Sequence, residues 1–491
     1  MKPAFTLQGI AQVLRAADLS VEVRGSGDAA VLGAAQDSRA VKAGDLFLAW
    51  AGTAVDAHDF VAEAVRAGAV GAVVERPLDL AVPQLIVDDG RRAAALVADC
   101  LAGSPWKRAS LVGITGTNGK TTTTALLRHI LSQDRATASI GTLGVLQADG
   151  TLMPGTEGLT TPGPVQLSGW MSTLVGAGTE AIVLEASSHA LDQQRLAGIQ
   201  FDVGVFTNLS QDHLDYHRDL ASYTEAKRGL AKLVGPEGTL VVNADEPAWE
   251  GLPYFRRVSW SAAGNTEADL IAEGIVAGAS GTRFLMRRGE DRTAVRLPLV
   301  GAFNVENALA AAAAAIALDV PIETVVERLE TAPQIPGRLE VIANAPVTVI
   351  IDFAHTPDAL RNVLGTLREI TRKRLIVLFG AGGDRDAGKR APMGAAVAEF
   401  ADLAVLTSDN PRTEDPESIL DQIQPGLGDA VVIREVDRKL AIERAIAEAE
   451  DGDVIVLAGK GHEAYQVIGA QKRPFDEKVI ALDALRARGL A

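Results

Sequence analysis

Eight uninterrupted apolar runs, each closing on a glycine-rich or polar cluster, constrain this chain more than any other feature. Four lie in the middle: ASLVGIT (109–115), EAIVLEASS (180–188), FDVGVFTNLS (201–210) and GTLVVNADE (238–246). Four lie in the last ~150 residues: VTVIIDFAHTPDA (347–359), RLIVLFGAGGDRD (374–386), LAVLTSDNPR (403–412) and DVIVLAGKGHE (453–463). A strand that is apolar at every position, without alternation, needs both of its faces covered, which is the condition of a parallel sheet between helices. Ligands of such sheets collect beyond the carboxyl ends of the strands. Nearly every run here ends in reactive residues, so the sequence predicts two sites, one in each of two sheet domains.

The first ~105 residues form a smaller unit. AVLGAA, DLFLA, VGAVVE and QLIVDD read as short strands, with DFVAEAVRAG (59–68) as a helix among them. AGSPWKRAS (102–110) reads as a linker, and QIPGRLE (334–340) marks the next boundary. The fold class is α/β in three domains: a small N-terminal α/β domain over 1–106, a central P-loop domain with a mostly parallel sheet over 107–336, and a C-terminal Rossmann-like domain over 337–491.

Composition narrows the function. With 491 residues and 47% apolar content, the chain can bury several cores. A net charge of −16 argues against a nucleic-acid partner, which would reward a basic face. The single cysteine, Cys100, permits no intrachain disulfide and suits a cytoplasmic protein. No basic start followed by an apolar core suggests a signal peptide. ALAAAAAAIAL (308–318) is too short to span a bilayer and reads as a buried helix, so no membrane insertion is expected.

VGITGTNGKTTTTALL (112–127) carries the chemistry most plainly. The common phosphate loop is G-x-x-x-x-G-K-[ST], but Ile114 stands where its first glycine belongs. The context is still that of a nucleotide site. In this reading Gly113 ends the strand, Gly116 makes the turn, and Gly119-Lys120-Thr121 opens a helix whose amides attract phosphate. Lys120 would reach the terminal phosphates and the Thr121 hydroxyl a Mg²⁺ ion. Glu185, at the end of the next run, would add the carboxylate Mg²⁺ prefers. Ser187, Gln193 and Arg195 follow as candidate substrate contacts.

Other clusters leave alternatives open. Asp212, His213, Asp215 and His217 have the look of a metal cluster, with histidine favouring zinc and phosphate chemistry favouring Mg²⁺. Asn304 and Asn307 stand just ahead of the alanine-rich helix, as N-caps or as ligand contacts. GAGGDRD has Arg385 where the third glycine of a dinucleotide loop belongs, which leaves an oxidoreductase weakly supported. Arg412 of SDNPR and Glu463 of GKGHE, on neighbouring strand ends, would bracket a zwitterion such as an amino acid. A P-loop switch is a further class, but a switch needs no amino-acid pocket.

GITGTNGKTTT, EASSHAL, FTNLSQDHLDYH, GAFNVENALA, IPGRLE, DFAHTPDAL, FGAGGDRD, SDNPRTEDP and AGKGHE occur in this order. Together they resemble the Mur ligases of peptidoglycan synthesis, and the resemblance runs from DSRAVKAGDLFLAWAG (37–52) almost to the end. It implies one domain each for a UDP-sugar, for ATP and for an incoming amino acid. It implies that ATP phosphorylates the D-Glu carboxylate of UDP-N-acetylmuramoyl-L-Ala-D-Glu, and that meso-diaminopimelate attacks the acyl phosphate. L-lysine as the amino acid, or a folylpolyglutamate synthase, is the alternative inside the superfamily.

The resemblance also assigns residues. Gly116, Thr117, Asn118, Gly119, Lys120, Thr121 and Thr122, with Asn304, Arg338, Asp352 and His355, match ATP contacts. Thr121, Glu185 and His213 match Mg²⁺ ligands, and Lys227 matches a lysine carrying a CO₂-derived carbamate. Lys120, Lys227, His213 and Glu185 are thus the expected catalytic set. Ser38 matches a uridine contact, and Thr160, Thr161, Ser187, Gln193 and Arg195 match the muramoyl dipeptide site. Arg385, Asp409, Asn410, Pro411, Arg412, Gly459 and Glu463 match the diaminopimelate site. One departure is TAVDAH (53–58), where the family carries His-Gln-Ala-Asp-Gly-Arg; uridine contacts there are left open. The expected form is a monomer.

Overall fold

The computed structural model describes residues 5–52, 55–253 and 256–490, with the backbone alone for Leu214 and Asp215. Thr53 and Ala54, the start of the divergent TAVDAH segment, lie outside the described residues. The chain divides into two compact units: residues 1–270 with 309–325, and residues 271–308 with 326–491.

Besides the two-stranded pair of Phe5–Thr6 with Ala30–Val31, the first unit holds two larger sheets. The smaller runs in the order Val21–Arg24, Gln84–Val87, Gly71–Val74, Asp45–Leu48, Gly33–Ala35, parallel except for the first pair. Helices Leu7–Ala16 and Gly90–Ala102 cover it with Leu7, Ile10, Leu14, Ala93, Ala94 and Val97, all fully buried. The larger runs Gly144–Leu146, Thr137–Gly141, Ala181–Glu185, Ser110–Thr115, Phe201–Phe206, Val234–Asn243, Arg256–Ser261. Apart from the antiparallel edge strand Gly144–Leu146 these are parallel, as the unbroken apolar runs require.

The predicted linker is an ordered connection. Gly103 closes the helix Gly90–Ala102 in the left-handed conformation (φ 78°), and Pro105–Arg108 forms a 3₁₀ turn. Ser104 Oγ and Trp106 Nε1 both donate to the Asp99 carboxylate, at 2.7 and 3.3 Å. A Gly-Ser-Pro string signals a turn, and here side-chain bonding holds it firmly.

The second unit begins with an antiparallel meander, Leu270–Gly278, Gly281–Arg288 and Asp291–Leu297. Its main sheet runs Glu340–Ala343, Thr348–Asp352, Val454–Ala458, Leu375–Phe379, Leu403–Leu406, Val432–Arg434, parallel but for the first strand. Successive residues of one strand feed two cores: Val377 and Phe379 pack on one face, Ile376 and Leu378 on the other. The helix Ala302–Ala317 buries Ala308 to Ala315 completely, as its composition predicted. It starts earlier than expected, so Asn304 and Asn307 lie in its first turns rather than ahead of it. Asn304 Nδ2 donates to Val300 O at 2.8 Å and Asn307 Nδ2 to Asn304 Oδ1 at 3.0 Å. Neither is an N-cap. Among the described residues no helix is long and apolar enough to cross a membrane.

Candidate active site

The strand Ser110–Thr115 delivers the phosphate loop to the helix Lys120–Leu131. Gly113 does not end the strand; it sits inside it, where a Cβ would come within 2.9 Å of Leu230 and Phe201 side chains. Gly116 makes the turn at φ 147°, and a Cβ there would stand 1.8 Å from Thr207 Oγ1. Gly119 caps the helix at φ 84°. The next strand end braces the loop. Thr207 Oγ1 donates to Asn118 O (2.7 Å), Asn118 N to Asn208 Oδ1 (2.9 Å), and Thr117 N to Asn208 O (2.8 Å). This bracing role of Thr207 and Asn208 was missed in the sequence, although both stand in the FTNLS cluster at a strand end.

Two lysines converge on this loop. Lys120 Nζ donates to Gly116 O and Thr117 O at 2.9 and 2.8 Å. Lys227 Nζ, on the helix Leu220–Arg228, donates to the same Gly116 O at 2.6 Å and lies 4.4 Å from the Tyr223 ring centre. Lys227 is 1% exposed. Burial first, and the neighbouring Lys120 charge second, push its ammonium well below the ordinary lysine range.

Glu185 is equally buried, at the end of the strand beside the loop. Its Oε2 accepts from Thr121 Oγ1 (3.1 Å) and Thr142 Oγ1 (3.1 Å), and its Oε1 from Thr142 N (2.9 Å). Thr121 and Glu185 thus present adjacent hard oxygen donors, the chemistry Mg²⁺ selects. The other predicted ligands are dispersed. The His213 side chain is 47% exposed, in edge contact with His189 at 4.8 Å and 6.3 Å from Tyr223. His217 is buried among the rings of His189, Tyr216 and Tyr223. Among the described residues no three His, Cys, Asp or Glu gather as a metal set, and the Asp215 side chain lies outside them. Among the described residues the histidines of DHLDYH pack against aromatic rings.

Thr160, Thr161, Ser187, Gln193 and Arg195 come together next to Glu185. Thr160 Oγ1 is 3.1 Å from Thr142 Oγ1, and Thr161 Oγ1 donates to Glu185 O at 2.7 Å. Ser187 N donates to Thr161 Oγ1, while the Ser187 hydroxyl caps its own helix through Ala190 N. Arg195 donates to Thr161 O (2.7 Å) and Gln193 Oε1 (2.8 Å). A cavity of about 240 Å³ opens beside Gln193 and Arg195, with Gln36 and Trp50 from the N-terminal sheet in its lining. Ser38, two residues past Gln36, is buried at the start of a short 3₁₀ turn.

In the second unit, Arg338, Asp352 and His355 meet around Phe353. The Arg338 guanidinium lies 5.1 Å from the Phe353 ring centre, and His355 Nδ1 pairs with Phe353 O at 2.8 Å. Asp352 accepts from Leu339 N (2.8 Å) and Ala354 N (2.7 Å), and complete burial raises its pKa. The Asn304 amide is engaged with Val300 and Asn307 instead.

A third cluster gathers beyond Leu403–Leu406 and Val454–Ala458. Asn410 Nδ2 donates to Glu463 Oε2 at 3.0 Å, and a Cβ on Gly459 would touch Asp409 Oδ2. Arg412, at φ 51°, donates from Nη1 to Gly383 O at 2.6 Å. Arg412 and the exposed Arg385 flank Gly382. Pro411 is buried and contributes its carbonyl's proximity to Gly383. Lys460, fully buried, was missed in GKGHE; its Nζ lies 3.0 Å from Asn410 Oδ1 and 3.4 Å from Asp409 Oδ1. The glycines of GAGGDRD are not a dinucleotide loop. Cβ atoms at Gly380 and Gly383 would stand 2.2 and 2.0 Å from the carbonyls of Thr407 and Pro411, so these glycines let the adjoining loop pass. The following α-helix begins only at Arg390.

Arg438 and Glu477 underlie this cluster, and nothing in the sequence marked them. Their side chains are 0% and 2% exposed and paired at 2.6 Å. Arg438 also donates to Ser408 O (3.3 Å) and Ala458 O (2.8 Å), the carbonyls just before Asp409 and Gly459.

Three family profiles match the chain: "Mur ligase family, catalytic domain" over 33–105, "Mur ligase middle domain" over 114–315, and "Mur ligase, glutamate ligase domain" over 337–461. The UDP-N-acetylmuramoyl-L-alanyl-D-glutamate--2,6-diaminopimelate ligase of Geobacillus kaustophilus is 41% identical over 95% of this chain and 97% of its own length. That of Gloeobacter violaceus is 42% identical over 95% and 96%. A solved structure of a ligase of that name superposes with a TM-score of 0.70 at 32% identity, covering 99% of this chain and 100% of its own. The phosphate loop and the ordered motifs agree with these matches: the chain belongs to the Mur ligase family.

Proposed function

We propose that this protein is an ATP-dependent, ADP-forming acid–amino-acid ligase that joins meso-diaminopimelate to UDP-N-acetylmuramoyl-L-Ala-D-Glu for peptidoglycan synthesis. It works in the cytoplasm as a monomer, with residues 1–106 for the UDP-sugar, 107–336 for ATP and 337–491 for the amino acid. The observation that carries the reading is the phosphate loop itself, with Lys120 and buried Lys227 on one carbonyl beside the Thr121–Glu185 oxygen pair.

In the first step a D-Glu carboxylate oxygen attacks the γ-phosphorus of ATP and ADP departs. In the second the amine attacks the acyl carbon, phosphate leaves, and a proton is lost from nitrogen. Little covalent help is needed, so catalysis rests on placing positive charge where negative charge develops. Lys120 does this at the phosphates, while the backbone amides of 116–122 orient them. Mg²⁺, held by Thr121 and Glu185, would neutralise phosphate charge. Lys227 is suited to carbamylation because an amine attacks CO₂ only when neutral, and burial favours the neutral form. Its nitrogen bonds the CO₂ carbon and releases one proton, replacing a buried neutral amine by an anionic oxygen ligand.

Arg412, with Arg385 beside it, supplies the selectivity. Diaminopimelate brings a distal carboxylate that lysine lacks, and lysine would leave the half-buried Arg412 guanidinium without that partner. The test is a panel of candidate amino acids with UDP-N-acetylmuramoyl-L-Ala-D-Glu and ATP, read by product mass and phosphate release. The expected result is one amide product with diaminopimelate and phosphate release only when both acceptor and amine are present. Equal use of lysine by the wild type would defeat the role of Arg412; phosphate release without substrates would defeat the ligase reading.

A further inference from the structure

The cavity of about 240 Å³ has a charge pattern opposite to that of the chain. It is lined by Gln36, Trp50, Arg91, Leu159, Gly163, Pro164, Gln166, Gln193 and Arg195. Two arginines and three glutamines face it, and no carboxylate does, in a protein of net charge −16. Arg195 hydrogen-bonds only neutral oxygens, those of Thr161 and Gln193. Arg91 opens the helix Gly90–Ala102, close enough for its charge to disfavour that of Arg195. The nearest acid on its own element, Asp89, is already engaged by Arg92 N and by Gln194 Nε2 at 2.6 Å. Two guanidiniums lining one space, with no carboxylate among the lining residues, suit an anion with several oxygens.

The position of the cavity says which anion. Its lining joins Gln36 and Trp50, which flank buried Ser38 in the sequence, to Gln193 and Arg195, whose guanidinium donates to Thr161 O. On the proposed function, on which this rests, Ser38 meets the uridine, and Gln193 and Arg195 meet the dipeptide. The diphosphate is what joins them. We infer that Arg91 is a substrate-binding residue that holds the diphosphate of the UDP-sugar in the cavity it lines with Arg195. None of the nine sequence motifs contains Arg91, and the helix N-terminus on which it sits adds a favourable dipole.

The experiment compares wild type, Arg91→Ala and Arg91→Lys. Each is checked for an unchanged melting temperature, then assayed for KM and kcat with UDP-N-acetylmuramoyl-L-Ala-D-Glu and for inhibition by UDP and by the nucleotide-free muramoyl dipeptide. Arg91→Ala should raise KM and the UDP inhibition constant together by about ten- to a hundred-fold. It should leave kcat within about twofold and inhibition by the muramoyl dipeptide unchanged. Arg91→Lys should recover part of the loss, since it keeps the charge without the fork. A KM equal to wild type in Arg91→Ala, or an equal weakening of the nucleotide-free dipeptide, overturns the inference while the proposed function stands. A wild type that does not use the UDP-sugar at all overturns the function, and the inference with it.

Discussion

Replacing Glu477 by glutamine tests whether a buried ion pair holds the amino-acid loops. Arg438 and Glu477 are fully buried and paired at 2.6 Å, and Arg438 ties Ser408 O and Ala458 O to the same point. Glu477→Gln keeps the shape and removes the charge, so the Arg438 guanidinium is stranded in the interior. Stranding a buried charge costs about 3–5 kcal/mol. At about 2–4 °C per kcal/mol for a domain of this size, the melting temperature should fall by about 6–20 °C. The pair itself is not optimal, since Glu477 Oε2 is buried without a hydrogen-bond partner. A double variant, Arg438→Met with Glu477→Met, should therefore recover most of the loss in stability. It cannot restore the ties to Ser408 and Ala458, so its KM for the amino acid should stay raised while that for ATP does not. Calorimetry on the three proteins and steady-state kinetics on the double variant decide the matter. A drop of under 2 °C for Glu477→Gln, or a normal amino-acid KM in the double variant, refutes the reasoning.

Three further outcomes are expected. Lys227→Ala should lose nearly all ligase activity and regain part of it with short carboxylic acids, measured by phosphate release; full activity without them would end the carbamate role. Gly116→Ala should abolish nucleotide binding in a titration, because the new Cβ meets Thr207 Oγ1 at 1.8 Å in a conformation only glycine adopts readily. Asp56 accepts from His58 N, Arg76 and the His58 ring, which hold its pKa below the usual carboxylate range. A lowered folded pKa contributes stability above the unfolded value of about 3.9 and loses it as pH falls further. Asp56→Asn should therefore be less stable than wild type at neutral pH, with the two denaturation curves converging in acid.

The sequence by itself determined the sheets and marked several candidate residues at their strand ends. Strands such as LIVLF and VIVLA are apolar at every position because helices cover both faces, and that pattern survives in one dimension. Thr121, Glu185 and Lys120 were legible because strand-end chemistry lies close to its glycines along the chain. Tertiary structure decided what depends on contacts between distant segments. Gly113 looked like a strand end, yet it is glycine because Phe201 and Leu230 pack against it. The glycines of GAGGDRD look like a phosphate loop, yet they admit the carbonyls of Thr407 and Pro411. Lys460 and the Arg438–Glu477 pair carry no local signature, since a buried charge is recognisable only by what surrounds it. Arg91 reads as one more surface arginine until folding sets it in the lining of the same cavity as Arg195. Periodicity reports which face of an element is covered; only the fold reports by what.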